Sequence, residues 1–76
     1  MPDGRVDRAA LDEALLAAHA TDDRRALVGL YRQAAEGAES EESGYFYLTQ
    51  AYVFALETDH PERASIAARL RAAGRI

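Results

Sequence analysis

The sequence predicts an all-α fold of four antiparallel helices, arranged as two helical hairpins. Three observations support this prediction. The composition is dominated by Ala, Leu, Arg and Glu, which are strong helix formers. The five glycines and two prolines are few and mostly separate apolar segments. Apolar residues recur at helical spacing, and no window shows the alternation of a strand.

The chain of 76 residues has room for one domain with a small core, residues 1–76. Residues 1–6 are expected to be loose. Residues 7–37 are predicted to form a first hairpin, residues 38–43 a polar loop, and residues 44–76 a second hairpin. Short connections favour antiparallel packing of consecutive helices.

In the first hairpin, Asp7 or Asp3 can cap a helix that runs to about Ala18. Leu11, Leu15 and Ala18 recur on its apolar face. Thr21 or Asp22 can cap a second helix, over residues 23–36.

Gly29 lies in the middle of that second helix, where glycine costs about 1 kcal/mol relative to alanine. We therefore expect a neighbouring helix backbone to approach closely at this position.

The second hairpin has equally clear boundaries. Ser40 is a natural cap for its first helix, which is predicted to end near Thr58. Asp59 then caps a last helix with Pro61 in its first turn. Gly74 supplies a left-handed stop after that helix.

The predicted fold is organised around residues 44–56, which carry no charge and hold five of the six aromatic residues. On a helix these side chains point in all directions; Phe46, Val53 and Leu56 share one side, with Tyr45 and Tyr52 nearby. A helix that is apolar all round must be covered all round. Thirteen residues are too few for a bilayer, which needs about 20, so the expected cover is protein.

The composition argues against some classes of binding function and indicates a location. The net charge of −4 argues against binding to nucleic acid or an anionic membrane. The sequence has no cysteine, which fits a reducing compartment, and residues 1–6 do not resemble a signal peptide, so a cytoplasmic location is the expectation. Nine arginines without a lysine suggest a GC-rich bacterial genome.

No stretch carries recognisable catalytic or ligand chemistry. Neither histidine has a ligand partner at helical spacing, and no glycine-rich phosphate loop is present. The paired carboxylates are adjacent along the chain, so they diverge on a helix. The prediction is a non-enzymatic protein with no catalytic residue, cofactor or metal.

The two halves show weak self-similarity. Thr21-Asp22 corresponds to Thr58-Asp59, and Arg25-Ala26 corresponds to Arg63-Ala64. A period of about 37 residues lies within the range of helical-hairpin repeats.

The second half resembles a tetratricopeptide repeat. Leu48 and Tyr52 match its Leu-Gly-x-x-Tyr pattern, and Ala64 matches the small residue of the second helix. Thr49 replaces the glycine, and Ala68 stands where an aromatic residue is usual. The resemblance implies a degenerate pair of repeats that binds protein or peptide on the concave surface of its first helices.

The leading hypothesis is therefore a small protein- or peptide-interaction module that forms a homodimer through the aromatic helix over residues 44–57. Two repeats are fewer than such arrays usually need, which favours self-association. The alternatives are an accessory or regulatory subunit that binds a small ligand, and a purely structural oligomer. The aromatic stretch could be core, dimer interface or binding groove. The candidate interface residues are Tyr45, Phe46, Thr49, Tyr52, Val53 and Leu15.

Overall fold

The computed structural model describes residues 7–76, so the predicted loose segment 1–6 lies outside the described residues. Those 70 residues form four helices and no strand. The helices are α1 (Arg8–Ala20), α2 (Arg24–Glu36), α3 (Glu41–Glu57) and α4 (Arg63–Ala72). The predicted all-α class is confirmed.

Each helix packs on the next, and α2 and α3 share the largest of the three interfaces. Arg24, which begins α2, donates to Glu57, which ends α3, at 3.2 Å. The end of α2 correspondingly lies beside Gly44, near the start of α3. Tyr45, near the start of α3, lies under Arg75, which follows α4. These contacts at opposite ends show that α2 is antiparallel to α3, and α3 to α4.

Three helices begin with a side-chain cap. Asp7 accepts a hydrogen bond from the Ala10 amide, and Ser40 accepts one from the Ser43 amide, as predicted. The cap of α2 is Asp23 and not Thr21 or Asp22, because those two residues belong to the turn that ends α1.

The start of α4 differs from the prediction. Asp59 does not cap it, and the helix begins at Arg63, two residues after Pro61. His60 Nδ1 instead accepts a hydrogen bond from the Glu62 amide at 3.1 Å. The chain needs these extra turn residues because Asp59 is still part of the C-terminal turn of α3.

The turn after α1 and the turn after α3 have the same local structure, in agreement with the self-similarity of the two halves. Asp22 and Asp59 both have left-handed backbones, with φ of 54° and 49°. In both turns the preceding threonine donates to the carbonyl four residues back, at 3.1 Å for Thr21 and 2.8 Å for Thr58. Gly74, with φ of 73°, takes the same conformation after α4, as predicted.

The core lies where α2, α3 and α4 meet. Its fully buried members are Val28, Leu48, Ala51, Ala55, Ile66 and Leu70. Leu11 and Ala18 are also buried on α1, as their spacing predicted. The small side chains of Ala51 and Ala55 allow α3 to sit close to its neighbours, and no polar or charged residue is buried among the described residues.

The expected close approach at Gly29 is wrong. A Cβ added there would have no neighbour within 4 Å, whereas one added at Gly44 would lie 3.4 Å from the carbonyl oxygen of Ala35. The close approach between backbones is therefore at Gly44.

The predicted boundary between loop and second hairpin is also corrected. The prediction places residues 41–43 in the polar loop, but α3 begins at Glu41. The reason is that Ser40 caps the helix directly, and Glu41 and Glu42 stabilise its positive first turn.

Candidate protein-interaction surface

One side of α3 is only partly covered by the described chain. Phe46, Val53 and Leu56 are 59%, 43% and 49% exposed, whereas the core residue Leu48, two positions from Phe46, is 1% exposed. Thr49 lies between them on the same side, at helical spacing. We call Phe46, Thr49, Val53 and Leu56 the outer stripe. The rest of the described chain therefore supplies only part of the protein cover that the sequence predicts for α3.

The polar member of the outer stripe does not make it hydrophilic. The Thr49 hydroxyl donates to the carbonyl oxygen of Tyr45 at 2.8 Å, within the same helix. Since this bond occupies the hydroxyl's donor, Thr49 adds its methyl group to the surface. The outer stripe is thus a line of apolar groups about 15 Å long, from the helical rise over the ten residues between Phe46 and Leu56.

Beside the outer stripe, α1 and α3 share a group of aromatic side chains. Tyr31 of α2 stacks on Phe54 at a ring distance of 5.9 Å and on Tyr47 at 6.3 Å. His19 of α1 meets Phe54 edge-on at 6.0 Å, and its Nε2 lies 2.9 Å from the Tyr31 hydroxyl oxygen. This aromatic cluster links side chains of α1 and α3 through Tyr31 of α2.

The cluster also sets the direction of α1. Arg8, at the start of α1, lies 5.9 Å from the centre of the Tyr47 ring, and His19, near its end, meets Phe54. Therefore α1 runs parallel to α3. Phe46 packs edge-on against Tyr47 at 5.5 Å, so the outer stripe and the aromatic cluster form one continuous surface.

On α1, the predicted interface residue is Leu15. Leu15 is half-buried, and the neighbouring Leu16 is the most exposed large apolar residue, at 72%. Viewed down the axis of α1, Leu16 lies about 60° from His19 and about 80° from Arg8, the two residues that contact α3 side chains. It lies on the side away from Leu11. Leu16 is not among the residues predicted from the sequence. The signal that could have identified it is an apolar side chain that lies outside the helix face formed by Leu11 and Ala18.

Tyr45 and Tyr52 lie on the other flank of α3. Both are half-buried and pack against the core cluster. The guanidinium of Arg75 lies 4.8 Å from the centre of the Tyr45 ring, a cation–π contact that ties the end of the chain to α3. These two predicted site residues therefore support the fold, while Phe46, Thr49 and Val53 lie on the free side.

The charges around α3 differ between its two ends. At the C-terminal end, the carboxylates of Glu57, Asp59 and Glu62 each pair with an arginine: Arg24, Arg63 and Arg32, respectively. The hydrogen bond from Arg24 to Asp22 raises the pKa of Arg24, and the charges of Asp22 and Glu57 add to this effect. The N-terminal end carries Glu39, Glu41 and Glu42, which make no ion pair with another described residue.

The depressions near these residues are open. One of about 370 Å³ lies between the α2–α3 turn and Arg69, and one of about 310 Å³ lies between Arg8 and Tyr47. A third, of about 300 Å³, joins Phe46 and Thr49 to Arg75. Within residues 7–76, no three His, Asp or Glu side chains are grouped as a metal site would require.

None of the described helices combines the length and apolar character that crossing a membrane requires. Comparison with known protein families, curated proteins and solved structures found no match.

Proposed function

We propose that this protein is a small, non-enzymatic interaction module that binds protein through the outer stripe of α3, and that it self-associates. The observation that carries this proposal is the clustering of exposed apolar residues. Three of the five large apolar side chains that are exposed in the described chain lie on the outer stripe, and Leu16 lies on the adjacent side of α1. Contiguous apolar surface of this kind marks interaction sites more often than scattered residues do.

The chemistry of the surface suits a protein partner. Aromatic residues are enriched in interface centres, and charged residues are depleted there. The outer stripe has Phe46 and no charge, with Glu42 and Glu57 at its ends. The resemblance to tetratricopeptide repeats also supports a binding role, and a cytoplasmic location belongs to the same proposal.

The variants that test this function should leave the core intact. Tyr45→Ala and Tyr52→Ala are unsuitable because both side chains pack against the core cluster. Val53→Glu instead places a charge in the middle of the outer stripe. Ala68→Glu makes the same change of charge at an exposed position of α4 and is the matched control.

Light scattering coupled to size exclusion, over a dilution series from about 1 mM to 1 μM, measures self-association. We expect wild-type protein and Ala68→Glu to associate, and Val53→Glu to raise the dissociation constant at least 100-fold. Circular dichroism melting confirms that both variants fold.

A second measurement covers a partner other than a second copy. A photoreactive benzoylphenylalanine at position 46 keeps an aromatic ring in the outer stripe, and the same group at position 68 is the control. Crosslinking from position 46 alone to an identified protein supports the proposal. A monomer at 1 mM without position-specific crosslinks overturns it.

A further inference from the structure

We infer that a second copy of this chain covers the outer stripe, with the two α3 helices antiparallel about a twofold axis at the level of Ala51. This inference rests on the proposed interaction function and adds to it the partner, its direction and its register. It is argued from the spacing of the outer stripe, the charges at the two ends of α3 and the residues on its flanks.

The spacing is symmetric about Ala51. Phe46 and Leu56 each lie five residues from it, and Thr49 and Val53 each lie two residues from it. An antiparallel pair centred there places Phe46 against Leu56 of the second copy and Thr49 against Val53 of the second copy. In a twofold interface each of these contacts occurs twice, so one chain supplies a complete self-complementary set.

The end charges favour the antiparallel direction. A parallel pair would bring together Glu39, Glu41 and Glu42 from both copies at one end. The antiparallel pair separates these groups and places each beside the other copy's α3–α4 turn, where the carboxylates already have arginine partners. Antiparallel helices also bring the positive N-terminus of each dipole to the negative C-terminus of the other.

The flanks are compatible with this register. An antiparallel pair brings the same flank of each helix together, so Gln50 faces Gln50 of the second copy, and each amide can donate to and accept from the other. On the opposite flank, the Ala51 centre places Tyr45 level with residue 57 of the second copy, two residues from its Asp59. Arg75, which lies over Tyr45, is thereby brought towards the exposed Asp59 of the second copy.

The molecule has enough surface for such a pair. A stable interface buries about 800 Å² from each partner, which is roughly one sixth of the chain's 5038 Å². The 17 residues of α3 extend about 25 Å, comparable with the 28 Å intermediate dimension of the molecule. We expect the contact to run along this length and to extend beyond the outer stripe to Leu16 and the flanks of α3.

Disulfide crosslinking tests the arrangement because the chain has no cysteine of its own. The variants are Phe46→Cys and Leu56→Cys, which alter exposed side chains, with Ser65→Cys on exposed α4 as a collisional control. Each is oxidised alone and in equimolar mixture, and mass spectrometry separates mixed from self-linked dimers. A disulfide requires Cα atoms within about 7 Å, whereas identical residues at position 46 would be about 15 Å apart along the antiparallel pair.

We expect the mixed Phe46→Cys and Leu56→Cys disulfide to exceed either self-disulfide at least tenfold, and to exceed linkage through Ser65→Cys by a similar factor. Dominant self-linkage at position 46 would show a parallel pair and overturn the inference while leaving the interaction function intact. Wild-type protein that stays monomeric at 1 mM also overturns it. Photocrosslinking from position 46 to another protein would then preserve the protein-binding part of the proposed function, and its absence would overturn both.

Discussion

Replacing Phe46 and Leu48 separately by alanine tests the placement of the two sides of α3. The residues are two positions apart in one apolar segment, yet Leu48 is 1% exposed and Phe46 is 59% exposed. Leu48→Ala would leave a cavity in the core and should lower the free energy of unfolding by about 3 to 5 kcal/mol. A chain of this size has a total stability of about 4 to 11 kcal/mol, so this variant should be close to unfolding.

For Phe46→Ala the expected loss is much smaller. Full burial of such a side chain is worth about 1.5 to 3 kcal/mol, so the two-fifths that is covered contributes about 1 kcal/mol. The better helix propensity of alanine returns up to about 0.7 kcal/mol of it. The net loss in the monomer should be about 0.5 kcal/mol or less.

Urea denaturation followed by circular dichroism measures both values, and an unchanged denaturant slope confirms that the two-state comparison is valid. The measurement is made at low micromolar concentration and repeated at higher concentration, because self-association would add stability that depends on concentration. Equal losses for the two variants at the lowest concentration would refute the assignment of Phe46 to a free surface.

Three further predictions concern local structure. Gly29→Ala should raise the free energy of unfolding by about 0.5 to 1 kcal/mol, because the added methyl group meets no neighbour. Gly44→Ala should raise it less, because the new Cβ would lie 3.4 Å from the Ala35 carbonyl oxygen. Equal gains for the two variants in urea denaturation would contradict this contrast. Ser40→Ala removes the α3 cap and should lower the free energy of unfolding by about 1 kcal/mol in thermal unfolding, whereas the control Ser65→Ala should lower it by less than about 0.5 kcal/mol. A loss no greater than that of the control would show that the cap is unimportant. Asp59→Gly should raise the free energy of unfolding by up to about 1 kcal/mol, because glycine adopts the left-handed backbone of this turn without strain and the exposed ion pair with Arg63 contributes little. A loss of stability would mean that this ion pair matters more than the turn.

Local signals in the sequence predict the helical class and most of the helix ends. Helix-forming composition, the apolar spacing of Leu11 and Ala18, and the caps at Asp7 and Ser40 are local signals, so they could be recognised without tertiary information. The left-handed stop at Gly74 was predictable for the same reason. The turns at Asp22 and Asp59 were misassigned as helix caps because aspartate is favoured both at a cap and in a left-handed turn.

Only the tertiary structure decided which side of α3 faces the core. Residues 44–56 are apolar on every side, so their periodicity contains no preferred direction. The choice comes from Ala51 and Ala55, whose small side chains admit the neighbouring helices, with Gly44 at the α2 crossing. That packing turns Tyr45 and Tyr52 towards the core and leaves Phe46 and Val53 exposed, because two covering helices can enclose only part of a helix's circumference.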